Sequence, residues 1–136
     1  MTAPGPQWHT KIRTTLTKQP EAMLTITVKL WGQLALELVP IIGSGGFNSL
    51  YARTIHLTRN DFPWLPNEQP PPTADLLFIH LSTHLEQQSA AEASEASICL
   101  LTTFLSILAT LIGEAMTDAI ISSVWNDTAL DSKQET

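Results

Sequence analysis

The sequence predicts an all-α fold, a small helical bundle of about four helices with a long apolar C-terminal helix and mobile termini. Three observations carry that expectation. Apolar residues recur at helical spacing in four segments, proline and glycine clusters fall between those segments, and the one stretch with strand-like alternation fits a helical template over a longer span. With 136 residues, the chain has the size of one domain and can bury a core without disulfides or metal staples.

Residues 1–20 mix Pro, Gly, Thr and Gln with few apolar side chains, too little area to offset the entropy of ordering them. They are expected to form a flexible arm, with Trp8 and Ile12 as its possible anchors. The bundle domain is expected over 21–125 and a polar, flexible tail over 126–136.

Between Glu21 and Val39, Leu24 to Leu30 alternates like a strand that would turn at Trp31-Gly32-Gln33. Met23, Leu30, Trp31, Leu34, Leu38 and Ile41 nevertheless share one helical face, and the helix is the longer-lived pattern. Pro40 and Gly43-Ser44-Gly45-Gly46 then break the chain direction. A second helix is expected to about Asp61, with Phe47, Leu50, Tyr51, Ile55 and Phe62 inward, closed by Pro63-Trp64-Leu65-Pro66. Pro70-Pro71-Pro72 reads as an extended spacer, and a third helix should start near Thr73. Glu86 to Ser97 suits either a helical continuation or a turn. From Ala96 to Trp125 one long helix is expected, because its only breaker is Gly113 and a helix tolerates glycine at about 1 kcal/mol relative to alanine. No internal repeat and no sustained heptad is expected.

The chain is 43% hydrophobic but only 15% charged, against about a quarter in an average soluble domain. Burial of surface against another copy or a partner accounts for the shortage most directly. A net charge of −6 gives a phosphate backbone no electrostatic attraction, so nucleic-acid binding is excluded from the expectation. Cys99 is the single cysteine and sits in an apolar run, which keeps a thiol protonated. The N-terminal residues lack the pattern of a secretory signal, and a cytoplasmic address is the default. Ala96 to Ile112 approaches the length of a membrane span, but its flanks Glu95 and Glu114 are acidic and lack Lys or Arg, so membrane contact is disfavoured.

Leu101, Leu105, Leu108 and Ile112 form one stripe of the last helix, and Leu100, Phe104, Ile107 and Leu111 a second beside it. The second stripe is the expected interface, joined by Arg53 and Trp64, since aromatic and cationic residues anchor interfaces. His80 and His84 at i, i+4 have the spacing of a metal pair, with Glu114, Asp118 or His56 as further donors. The motif is incomplete, and packed histidines and solvated acids are the preferred reading. Gly43-Ser44-Gly45-Gly46 lacks the register of a phosphate loop. Neither Ser44 nor Cys99 stands in a nucleophile motif.

The expected function is therefore that of a non-enzymatic helical protein without a cofactor. It would act by self-association, most simply as a homodimer, and by contact with a larger protein. The alternative is a bundle that binds a metal ion or small apolar ligand through His80, His84, Glu114 and Asp118.

Overall fold

A computed structural model of the chain describes residues 12–14, 16, 22–65 and 74–128, with the side chains of 74–78, 80 and 125–128 outside that description. Trp8, the Pro70-Pro71-Pro72 spacer and the expected tail beyond Thr128 lie outside the described residues. The fold is all-α: among the described residues there is no strand. A short helical stretch at 12–14 and 16 precedes α1 (Met23–Thr58), α2 (Ala74–Glu86), α3 (Ala90–Ile112) and α4 (Glu114–Thr128). The stretch from Glu21 to Val39 is thus helix rather than hairpin over its described residues.

The longest helix is α1, near the N-terminus, and the expected single helix over 96–125 is two. Gly113 ends α3 with φ 95° and ψ 154°, and its N–H donates to the Ala109 carbonyl at 2.8 Å. This backbone region is essentially open to glycine alone, so Gly113 acts as a stop rather than a tolerated interior residue. Thr117 accepts the change of direction by donating both its N–H (3.1 Å) and its hydroxyl (2.8 Å) to the Gly113 carbonyl. The corresponding break in α1 lies at Gly43, with φ 81° and ψ 160°. Pro40 sits three residues before it, unable to donate a backbone hydrogen bond. The uncertain boundary after Glu86 falls at Ser89, whose hydroxyl accepts from the Glu92 N–H at 3.2 Å and caps α3 in a Ser-x-x-Glu pattern.

Packing fixes the helix directions. Ser97 Oγ–H donates to Met23 Sδ at 3.7 Å, and the rings of Trp31 and Phe104 meet edge to face at 5.0 Å. Moving up α1 from Met23 to Trp31 moves up α3 from Ser97 to Phe104, so the first arm of α1 and α3 run parallel. Beyond the two glycines the chain turns back. Tyr51 lies 5.1 Å from Trp31, Phe47 lies 5.5 Å from Phe104, and Ser123 Oγ–H donates to Glu37 Oε2 at 3.0 Å. Each hairpin therefore packs its returning helix against the leading helix of the other.

The two hairpins share one pattern of burial and one kink geometry, at a spacing of 70 residues. Adding 70 to a residue number carries Leu30, Leu38, Ile42 and Gly43 onto Leu100, Leu108, Ile112 and Gly113. Every position buried between 23 and 54 is buried again 70 residues later, and no buried position in either hairpin falls on an exposed one. The two kink glycines share almost the same φ and ψ. The sequence conceals this likeness because only those four residues are identical between 23–54 and 93–124, while the pattern of burial is shared.

At the described positions of the N-terminal arm, Ile12 and Leu16 are 1% and 0% exposed and join the core. Their i, i+4 spacing puts both on one helical face, and Arg13 between them pairs with Glu95 at 3.2 Å. At the other end α4 reaches Thr128, past the expected start of the tail.

Candidate interaction surface

Because the first arm of α1 runs parallel to α3, their breaks at Gly43 and Gly113 come to the same end of the molecule. That end is built from Val39-Pro40-Ile41-Ile42-Gly43-Ser44-Gly45-Gly46 and Ala109-Thr110-Leu111-Ile112-Gly113-Glu114-Ala115-Met116, all half-buried or exposed. Glu114 is the sole ionisable side chain among these residues, with Asp118 one turn further on. Ile41 is 51% exposed, Leu111 66% and Met116 50%. Both hairpins hold a large aliphatic side chain exposed two residues before the glycine; of the other pairs exposed in both, Thr25/Glu95, Ser44/Glu114 and Ser49/Ala119 carry polar or small residues, and Leu36/Ser106 and Gly46/Met116 carry a large apolar one on a single side. Gathered at one end, these aliphatic groups differ from the singly scattered apolar residues that a folded surface ordinarily carries.

The expected interface stripe divides. Leu100 and Phe104 are fully buried, Phe104 between Trp31 and Phe47, so both belong to the chain's own core. Ile107 is half-buried and Leu111 exposed. Arg53 is exposed on the returning arm of α1. Trp64 is half-buried, packs edge to face on Phe62 at 6.0 Å, and donates its Nε1–H to Glu92 Oε1 at 3.2 Å. Arg59 holds the exit of α1 by donating to the carbonyls of Leu65 (3.0 Å) and Pro63 (3.1 Å).

The metal alternative gains no support from geometry. Among the described residues no group of three or more His, Cys, Asp or Glu side chains is gathered closely enough to hold an ion. His84 is half-buried on α2, Glu114 and Asp118 are exposed on α4, and the His80 side chain lies outside the described residues. Cys99 is half-buried, its Sγ 4.0 Å from Thr103 Oγ1. Burial pushes the Tyr51 phenol well above its ordinary value, which keeps it neutral in the core.

Ile41, expected on the apolar face of the first helix, and Met116, which no sequence pattern marks, are both exposed. The available signal was the hexapeptide Leu38-Val-Pro-Ile-Ile-Gly43 repeated as Leu108-Ala-Thr-Leu-Ile-Gly113, which marks two equivalent turns. By length and composition alone, α1 and α3 are also apolar enough to cross a membrane, although 39% and 50% of the relevant windows are buried inside the fold. No family model, curated protein or solved structure matches this chain.

Proposed function

We propose that this chain is a non-enzymatic helical protein that works by association, first with a second copy of itself as a dimer and then with a larger protein. The two arms of α1 together with α3 and α4 would act as one bundle, a scaffold for its glycine end. A single observation carries this reading: both hairpins, otherwise different in sequence, place an exposed aliphatic residue and an Ile-Gly turn at the same end. The low share of charged residues supports it, since a surface poor in charge favours burial against protein. The net charge of −6 argues against a nucleic-acid partner. A cytoplasmic address stays part of the proposal.

Light scattering on the purified chain across a concentration series tests the proposal. The expected result is a weight-average mass that rises from 14.9 kDa towards twice that value. A mass that stays at the single-chain value up to the solubility limit contradicts self-association.

A further inference from the structure

We infer that the glycine end is a self-complementary docking surface, on which a second copy of this chain seats Met116 of each protomer over Gly45-Gly46 of the other. The inference rests on the self-association proposed above and names its site.

The shared hairpin geometry makes the two halves of this end equivalent in backbone but opposite in relief. The three residues after the kink are Ser44-Gly45-Gly46 in the first hairpin and Glu114-Ala115-Met116 in the second. Where the second hairpin raises a half-exposed Met116, the first offers Gly46, which has no side chain. A Cβ added at Gly45 would meet nothing within 4 Å, and one at Gly46 would meet only the Ile42 side chain on its own helix. One half of the end thus carries a projecting side chain, and the other presents bare backbone with open space above it.

A two-fold axis across the helix direction sets the first half of one end against the second half of the other, and repeats the contact. Each Met116 then meets the bare backbone at Gly45-Gly46, and Ile41 of each chain approaches Leu111 of its partner. Methionine suits this role because its unbranched side chain adapts to an irregular gap.

Charge selects the same arrangement. A chain of net charge −6 repels its copy, and least so at an end whose sixteen residues include one acid. In the crossed arrangement Glu114 faces the N-terminal turn of the second arm of α1, where backbone N–H groups carry partial positive charge and Gly45 and Gly46 leave them uncovered. Glu114 is kept away from its own copy. An anionic lipid surface finds no base among these residues, and so a second copy is the occupant the end fits best.

The test is a pair of relief changes measured by sedimentation of the full chain. Gly45→Met covers the bare backbone at a helical position with open space around it, and Met116→Ala removes the projection. Each variant alone should weaken self-association at least tenfold while circular dichroism stays unchanged. An equimolar mixture of the two variants should restore association, because each mixed pair sets the added side chain of one against the shortened side chain of the other and keeps the original contact on the opposite side. Leu111→Asp should abolish association, and Leu36→Asp, at another exposed aliphatic residue, should leave it intact. If the unmodified chain is a monomer throughout, the self-association reading itself falls. A dimer that persists in Gly45→Met and Leu111→Asp, or that Leu36→Asp breaks equally, overturns this site and leaves self-association standing. Failure of the mixture to associate overturns the crossed arrangement.

Discussion

Replacing Gly113 with alanine separates two accounts of the C-terminal half by the sign of the effect. Were the segment one continuous helix, alanine would stabilise it by about 0.8–1 kcal/mol through the ordinary difference in helix propensity. At φ 95° and ψ 154° the residue occupies a region that non-glycine residues enter at a cost of about 1–3 kcal/mol. Space is not the obstacle, since an added Cβ would meet nothing within 4 Å. Gly32 supplies the internal comparison, because it lies within a helical arm of α1, also has nothing within 4 Å, and has no positive φ. Gly32→Ala should therefore stabilise by up to about 1 kcal/mol while Gly113→Ala destabilises, a gap of about 2–4 kcal/mol. For a chain of this size 1 kcal/mol moves the thermal midpoint by about 3–4 °C. Thermal melts followed by far-UV circular dichroism should then show midpoints displaced in opposite directions. A Gly113→Ala midpoint raised alongside that of Gly32→Ala would refute the break.

Other outcomes follow from the same packing. Phe104→Ala, which removes a fully buried ring between Trp31 and Phe47, should cost about 3–5 kcal/mol in urea unfolding, and a loss under 1 kcal/mol would contradict its core position. Ile12→Ala and Leu16→Ala should each cost about 2–5 kcal/mol, whereas Arg13→Ala, at an ion pair half in water, should change stability by about 1 kcal/mol at most. Tyr51 is the single tyrosine, and its folded-state value lies above the ordinary 10.0. The unfolded chain therefore loses the phenolic proton first, so this contribution is intact below pH 10 and declines as pH rises beyond it. Absorbance of the phenolate should appear together with alkaline unfolding, and its appearance in the folded chain near pH 10 would contradict the burial. Protein purified without added metal should hold no stoichiometric zinc, nickel or iron; metal present in the unmodified chain and lost in His80→Ala with His84→Ala would restore the alternative.

Helix identity was legible in the sequence because residues such as Met23, Leu30, Leu34 and Leu38 hold one face over many turns. The end of α3 was not. Propensity assigns Gly113 a modest cost inside a helix, and nothing in that scale distinguishes a tolerated glycine from one that takes a positive φ. The likeness of the two hairpins was hidden for a different reason, since burial can be shared where Trp31 is matched by Leu101 and Phe47 by Thr117. A helix apolar on two sides needs two neighbours, but the sequence cannot say whether both belong to the same chain. For Leu100 and Phe104 the neighbour is α1. Leu111 lies beyond its reach, at the turn, which is why the candidate surface contracts to the glycine end.

The two hairpins point the same way and bring both glycine turns to one end, and the candidate surface depends on that arrangement. Paired spin labels at Ser44→Cys and Glu114→Cys, both exposed, in a Cys99→Ser background and diluted with unlabelled chain, measure it within one protomer. Adjacent turns on packed helices predict a label separation below about 20 Å. A separation of about 30 Å or more, the length of the leading arm of α1 at 1.5 Å per residue, would place the turns at opposite ends and contradict the account.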